Sequence, residues 1–161
     1  MNLEVKIDQK TLDAVFEQAV AEYPDEACGW ILRDSTGKLT YVPAENLQDK
    51  YHKLDPEAYP RTSKDAFLMD SLKLTRAIDE AEASGGGLFS IVHSHIDCGA
   101  YFSEEDKHQM TLPDDSGPVF PADNYLVVSV DEGKPGETAV FIYDQATKDF
   151  LAGDLQIKDQ V

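Results

Sequence analysis

Two short apolar runs place the strongest limit on what this chain can fold into. Residues 27–32 (ACGWIL) and residues 88–92 (LFSIV) are almost wholly apolar, and polar residues or glycines flank both of them. Runs of this length are typical of strands that are buried on both faces of a sheet. We therefore predict a core that is built around a buried β-sheet.

Helical patterns occur between and after these strands. Helices are predicted over residues 8–22, 64–83 and 103–110. The first pattern is amphipathic and ends at Pro24, which cannot continue a helix. Thr62 and Asp65 resemble a capping box at the start of the second helix, and a run of three glycines stops that helix.

The remaining segments complete the predicted fold. Further strands are predicted at residues 3–7, 39–42, 125–130, 138–143 and 150–157, and loops at residues 45–61 and 111–123. Helices and strands alternate at first, and strands then follow one another in hairpins. This order favours one mixed sheet covered by helices. The predicted class is therefore α/β, in a single domain over residues 1–161.

The charge of the chain limits its partners. It has 31 acidic and 14 basic residues, a formal net charge of −17, and no basic run. Nucleic acid and anionic membranes are bound through clustered lysine and arginine, so neither is an expected partner. The acidic surface either attracts a partner with a basic face or serves only solubility.

Cysteine content and the N-terminal segment indicate the compartment. Cys28 and Cys98 are too few for a disulfide scaffold. The segment MNLEVKIDQK lacks the apolar centre of a signal peptide, and no apolar run approaches the length of a membrane span. We expect a cytoplasmic protein with reduced thiols.

The segment HSHIDCGAYFSEED, residues 93–106, holds side chains that bind divalent metals. His93 and His95 are two residues apart at the end of a predicted strand, so both imidazoles point to the same side. Asp106 follows a loop long enough to fold back, and its carboxylate completes a set of three ligands. Three protein ligands leave a fourth tetrahedral position for water, which is the pattern of catalytic zinc.

Each of these features also has a plain structural explanation. A His-x-His pair occurs by chance as polar surface, and Ser103 with Asp106 is a helix-capping pattern. Glu26, which opens the buried strand at residues 27–32, is either a solvated strand end or a general base for a metal-activated water. Taken together, the five residues favour the metal hypothesis.

The combination resembles the signature of the JAMM zinc metalloproteases, also called MPN-plus domains. That signature is a glutamate at a strand start, then His-Ser-His, seven residues, serine, two residues and aspartate. Here those positions are held by Glu26, His93-Ser94-His95, Ser103 and Asp106. Ile96 stands where many members have proline. Cys98 lies in the same loop, and three explanations are open for it: a further metal ligand, a redox switch or a small loop residue.

The resemblance, which covers residues 1–143, implies a fold and a role for each motif residue. The family's fold is a curved mixed β-sheet flanked by helices, similar to that of cytidine deaminases. His93, His95 and Asp106 would bind one Zn2+ ion per chain. Glu26 would act as general base and acid, and Ser103 would donate a hydrogen bond to the oxyanion.

The implied activity is that of a compact prokaryotic isopeptidase or peptidase, similar to deubiquitinases. Such an enzyme cuts the amide bond after the C-terminal glycine of a ubiquitin-like or sulfur-carrier protein with a Gly-Gly tail. Two alternatives remain open: a non-catalytic binding scaffold of the same fold, and a non-haem Fe(II) oxygenase, which also uses two histidines and a carboxylate. A zinc deaminase is excluded, because the chain has neither His-x-Glu nor Pro-Cys-x-x-Cys.

Overall fold

The structure is a computed structural model that describes residues 2–158. In chain order its elements are β1 (Glu4–Asp8), α1 (Gln9–Glu22), β2 (Cys28–Arg33), β3 (Leu39–Ala44), α2 (Gln48–Leu54), α3 (Ser71–Ala83), β4 (Gly87–Ile96), α4 (Glu104–Met110), β5 (Asn124–Asp131), β6 (Lys134–Asp144), β7 (Asp149–Ala152) and β8 (Asp154–Lys158). None of the helices within residues 2–158 is long and apolar enough to cross a bilayer.

Six of the strands form one mixed sheet in the order β3-β2-β4-β5-β6-β7. β4 and β5 run parallel, and every other neighbouring pair in this sheet is antiparallel. β4 therefore lies inside the sheet, between β2 and β5, and most of its residues are buried. The prediction of a mixed sheet with helices is confirmed, and the two apolar runs at residues 27–32 and 88–92 hold inner positions in it.

Apolar side chains pack on both faces of this sheet, because successive strand residues point to opposite sides. On one face, Ile31 of β2 belongs to a cluster that includes Val15 of α1. On the other face, Trp30 of the same strand belongs to a cluster that includes Leu74 of α3. Helices α1 and α3 thus flank the sheet, and their apolar stripes are buried against it.

A second, two-stranded sheet pairs β1 with β8 in parallel. The strand predicted over residues 150–157 is therefore two strands, β7 and β8, which belong to different sheets. Gly153 lies between them, and its N–H donates to Val140 O at 2.8 Å. A Cβ at this position would stand 2.9 Å from Leu3 O, so the chain can cross between the sheets here only with glycine.

The connection between β3 and β4 differs from the prediction. Residues 45–61 were predicted to be a loop but contain the helix α2. The helix predicted over residues 64–83 is α3, and it begins only at Ser71. Thr62 and Asp65 form a turn in place of a capping box, with Thr62 N donating to Asp65 Oδ1 at 3.2 Å. The actual cap of α3 is Asp70, whose side chain accepts from Leu72 N and Lys73 N.

Asn46 explains why the segment before α3 is not helical. We call residues 61–68 the strap. The Asn46 side chain donates to Ala66 O at 3.1 Å and accepts a backbone N–H from the same segment. Ser63 O in turn accepts the N–H of Glu26 at 2.6 Å. Because Asn46 and Glu26 bind these backbone N–H and C=O groups of the strap, the groups are not available for helical hydrogen bonds.

Candidate metal centre

β4 carries both histidines on one face of the sheet. His93 and His95 occupy alternate positions inside the strand, so their rings project to the same side. Their Nε2 atoms are 3.2 Å apart. In the ladder, His93 lies between Cys28 of β2 and Val127 of β5, so hydrogen-bonded strands hold its backbone on both sides.

A turn and a helix cap bring Asp106 to the same place. After β4 the chain turns at Asp97 and Gly99, whose φ angles are 55° and 56°. Ser103 is the N-cap of α4: its Oγ accepts from Asp106 N at 3.0 Å, and its own N–H donates to Asp106 Oδ2 at 3.0 Å. This reciprocal capping box fixes the Asp106 carboxylate in the first turn of α4.

The three side chains converge on one point. Asp106 Oδ2 lies 3.0 Å from His93 Nε2 and 3.1 Å from His95 Nε2, so the three atoms form a nearly equilateral triangle. Three ligands bound at about 2.0 Å to a tetrahedral ion stand about 3.3 Å apart. The spacing therefore fits a small divalent cation, and these three residues could hold a metal.

The protonation states of these groups also suit a metal. Burial lowers the pKa of His93, although Asp106 opposes the effect. Burial alone would raise the pKa of Asp106, but contacts with the two imidazoles and with the backbone N–H of Ser103 outweigh it and hold the pKa well below its usual range. A neutral imidazole and an ionised carboxylate are the forms that coordinate metal ions.

Contacts with two other segments hold the backbone of Glu26 next to this cluster. Its N–H donates to Ser63 O in the strap at 2.6 Å, and its carbonyl accepts from Asn46 Nδ2 at 2.9 Å. The next residue, Ala27, donates its N–H to the Oγ of Ser94 at 2.7 Å. Ser94 lies between the two histidines in β4, so this bond places Glu26, the residue before Ala27, next to them.

The side chain of Glu26 is buried, and its Oε1 has no hydrogen-bond partner among the described residues. Burial, together with the nearby carboxylates of Asp106 and Asp65, raises the pKa of this carboxyl to about 9, although Arg61 opposes the effect. Without a bound metal ion, Glu26 therefore keeps its proton at neutral pH. An unpaired buried carboxyl oxygen is unfavourable, and a ligand or water is its usual partner.

A cavity of about 350 Å³ joins these groups. Its walls include four of the predicted site residues, which are Glu26, His95, Ser103 and Asp106. The fifth, His93, contacts His95 and Asp106 directly. The other lining residues are Arg61, Lys64, Asp65, Ile96, Cys98, Tyr101 and Glu105.

Cys98 also lines this cavity, but its thiol is not one of the three converging ligands. The thiol is exposed, and partial burial raises its pKa. The geometry therefore leaves Cys98 outside the ligand set, and the redox switch and the small loop residue both stay predictions.

Two aromatic side chains that motif analysis did not identify hold the histidine rings. Phe67 of the strap stacks on His93, with ring centroids 4.4 Å apart and planes at 19°. Tyr101 meets the ring of His95 edge-on at 4.7 Å. The helix predicted over residues 64–83 includes Phe67, whereas in the structure this residue lies in the non-helical strap, so the stacking on His93 could not be predicted.

Comparisons with known proteins show what this chain is similar to. A family model described as prokaryotic homologs of the JAB domain matches residues 8–141, which is most of the chain. Tail tip assembly protein K of Escherichia phage N15 is 34% identical to this chain over 105 residues, which are 63% of this chain and 34% of that protein. The chain thus spans about a third of the length of this curated relative.

Solved structures share the fold at low sequence identity. A solution structure of a protein from Desulfitobacterium hafniense has a TM-score of 0.67 at 21% identity, and the match covers 97% of this chain and 94% of that one. A solution structure of a protein from Salinibacter ruber has a TM-score of 0.58 at 21% identity, and the match covers 98% of this chain and 92% of that one. A crystal structure of a JAB1/MPN domain protein from Archaeoglobus fulgidus has a TM-score of 0.50 at 15% identity, and the match covers 96% of this chain and 100% of that one.

Glu26→Gln should remove a pH dependence of stability from the metal-free protein. The carboxyl titrates near 4.5 in its ordinary state and at about 9 in the folded chain, so folding favours its protonated form between these values. The stability that this proton provides is fully present below pH 4.5 and is lost as the pH rises to about 9. The measurement is urea unfolding in the presence of a chelator. As the pH rises from 4.5 to about 9, the free energy of unfolding of the wild type should fall relative to that of Glu26→Gln, by up to about 1.4 kcal/mol per pH unit.

Glu104→Gln is the matched control for this experiment, because Glu104 is an exposed carboxylate of α4. This variant should follow the pH profile of the wild type. Parallel profiles for the wild type and Glu26→Gln would contradict a raised pKa at Glu26.

Proposed function

Because the chain belongs to the family of prokaryotic homologs of the JAB domain, we propose that it is a zinc-dependent peptidase of the JAMM type. That family includes metalloproteases. The enzyme would cut the amide bond after the C-terminal glycine of a ubiquitin-like or sulfur-carrier protein. The observation that carries the proposal is the convergence of His93, His95 and Asp106 beside the buried carboxyl of Glu26, whose Oε1 has no hydrogen-bond partner among the described residues.

Zinc is the metal that best suits these ligands. Two imidazole nitrogens and one carboxylate oxygen are a common set for catalytic zinc, which keeps one position open. A zinc ion held there would supply a Lewis acid that polarises the scissile carbonyl and makes a water molecule more acidic.

Glu26 would move the proton that amide hydrolysis requires. The reaction breaks the C–N bond, forms a C–O bond to the oxygen of water and passes one water proton to the leaving nitrogen. Glu26 lines the same cavity, and its Oε1 has no hydrogen-bond partner within residues 2–158, so this carboxyl is suited to accept that proton and deliver it. A divalent cation nearby would lower the pKa of Glu26 from its metal-free value, so that the side chain could act as a base.

Ser103 is suited to stabilise the oxyanion, because capping leaves its hydroxyl proton free. The bond from Asp106 N uses a lone pair of Ser103 Oγ and no donor. The hydroxyl proton can therefore rotate towards the cavity that Ser103 lines. A donor in that position would stabilise negative charge as it develops on the carbonyl oxygen.

The shape and charge of the chain support a flexible, glycine-ended substrate. A Gly-Gly tail has no side chains, so it can enter the cavity of about 350 Å³ in extended form. The six-stranded sheet has β3 and β7 as its edge strands, and an extended tail can pair with the backbone of an edge. The net charge of −17 favours a carrier protein with a basic face.

Two other functions are less well supported by this site. A non-haem iron oxygenase would use the same three ligand types but has no need for a buried general base. A non-catalytic scaffold would need none of the five motif residues, and this chain keeps all of them in contact with one another or with one cavity.

Incubation with a panel of fusion proteins tests the proposal. Ubiquitin-like and sulfur-carrier proteins that end in Gly-Gly are each fused through the last glycine to a short reporter peptide. The zinc-loaded chain should cut at that bond, and a chelator should stop the cut. Glu26→Gln should lower kcat by at least about a hundredfold, because it removes the proton acceptor, and should keep the metal. Mass spectrometry of the products and metal analysis of the variant are the measurements.

Glu104→Gln serves again as the control and should cleave at the wild-type rate. Loss of zinc from Glu26→Gln would mean that Glu26 is a ligand rather than a base. Tight binding of a carrier by the wild type without any cleavage would support the scaffold and contradict the peptidase.

Substitutions of Ser103 separate catalysis from helix capping. Ser103→Ala and Ser103→Gly both remove the hydroxyl, so both should lower kcat by about ten- to a thousandfold. Ser103→Ala should also lose about 1 kcal/mol of stability, and Ser103→Gly only a few tenths, because glycine is the better N-cap. Ser103→Thr should retain both properties. If kcat of the glycine variant equals that of the wild type, Ser103 is only a cap.

A further inference from the structure

Asn46 joins three segments of the chain through one side-chain amide. Its Nδ2 donates to Glu26 O at 2.9 Å and to Ala66 O at 3.1 Å. Its Oδ1 accepts from Gln48 N at 3.0 Å and from Leu68 N at 3.1 Å. An amide side chain offers two donor hydrogens and two acceptor lone pairs, so Asn46 uses all four. This fixes its orientation, because a reversed amide would set its oxygen against two carbonyls.

The bonds to the strap hold Phe67 from both sides. Ala66 O belongs to the peptide group before Phe67, and Leu68 N belongs to the peptide group after it. The ring between these two groups stacks on His93, with centroids 4.4 Å apart. One amide therefore fixes the backbone that places an aromatic ring on a metal-ligand candidate.

The bond to Glu26 holds the peptide group that follows the proposed base. The carbonyl of this group accepts from Asn46, and its N–H, which belongs to Ala27, donates to Ser94 Oγ at 2.7 Å. Ser94 lies between the two histidines in β4. The same peptide group is thus bound at one end by Asn46 and at the other by the strand of the ligands, which constrains the direction of the Glu26 side chain.

We propose that Asn46 is a positioning residue that couples the base to the metal ligands. Asn46 is not among the described residues that line the cavity beside Glu26, so it acts through Glu26 and Phe67 and does not contact the substrate. Groups that orient metal ligands from outside are typically worth about ten- to a hundredfold in metal affinity or activity. The effect on turnover rests on the proposed function, whereas the effect on metal affinity does not.

A second contact from α2 limits the loss that we expect when Asn46 is changed. The Asp49 carboxylate accepts Ser63 N at 2.8 Å and Ser63 Oγ at 2.7 Å. Ser63 O still accepts the N–H of Glu26 in such a variant. The base should therefore shift from its position and should not be released from it.

Asn46→Ser isolates the long-range bonds. A serine hydroxyl can still accept from Gln48 N two residues further on, but it is too short to reach Glu26 and the strap. The affinity for zinc should fall by about tenfold in a Zn2+ titration. On the fusion protein that is cut fastest, kcat should fall by about ten- to a hundredfold because the base is misplaced, and KM should stay within about threefold of the wild type.

A double-mutant cycle tests the route from Asn46 to the metal. Phe67→Leu removes the ring from His93 and should lower the affinity for zinc by about tenfold. If Asn46 acts on the metal through Phe67, adding Asn46→Ser to Phe67→Leu should lower the affinity by less than about a further threefold. Losses that multiply to about a hundredfold in the double variant would overturn this route.

Asn124→Ser is the matched control. Asn124 is buried in β5, and its Nδ2 donates to Phe89 O at 3.1 Å. This variant should also unfold at a lower urea concentration than the wild type, but its zinc affinity and kcat should stay within about threefold of the wild type. Equal losses of affinity and kcat in both variants would reduce the role of Asn46 to stability alone and overturn the proposal.

Hydrogen exchange of the metal-free wild type decides the matter if Asn46→Ser does not fold. The N–H of Leu68 should exchange at least about a hundredfold more slowly than that of Lys64, which makes only a 3.4 Å contact within an exposed turn. Equal exchange rates would mean that Asn46 does not hold the strap.

The outcomes separate this inference from the proposed function. Wild-type zinc affinity and kcat in a folded Asn46→Ser variant would overturn the role of Asn46 and leave a peptidase. If the wild type cuts no fusion protein, the proposed function fails, and the zinc titrations and the double-mutant cycle still confirm or overturn the role of Asn46 at the metal centre.

Discussion

Two imidazoles and one carboxylate that meet inside the protein are the constraint on which the rest of the structure depends. Their ligand atoms stand 3.0 to 3.2 Å apart, and all three side chains are buried. Atoms that carry lone pairs repel one another at this distance unless protons or a cation lie between them. A divalent ion would remove that repulsion, so we expect metal binding and stability to be coupled.

The rest of the fold brings Glu26 to this cluster from a distant part of the chain. β2 lies beside β4 in the sheet, and the hydroxyl of Ser94, between the two histidines, accepts the N–H of Ala27. The strap then holds Glu26 through Ser63 and places the ring of Phe67 on His93. The strap thus contacts both the proposed base and a metal-ligand candidate, so a change in the strap should affect both.

Features that depend on near neighbours in the chain could be predicted from the sequence. The two histidines share a face because strand residues alternate, and Ser103 caps α4 because serine and aspartate are three residues apart. The strap could not be predicted, because its residues also fit an amphipathic helix until Asn46 takes their backbone groups. α2 could not be predicted either, because its segment is polar and has no apolar stripe, and because a proline follows it closely.

Titration of the metal-free protein with Zn2+ is the decisive measurement for the cluster of His93, His95 and Asp106. We expect one ion per chain for the wild type. We expect Asp106→Asn to weaken the affinity by more than about a hundredfold, which is beyond the usual effect of losing an outer contact, and Glu26→Gln to stay within about tenfold of the wild type. Zinc that binds equally well to Asp106→Asn, or that does not bind to the wild type, would contradict this expectation.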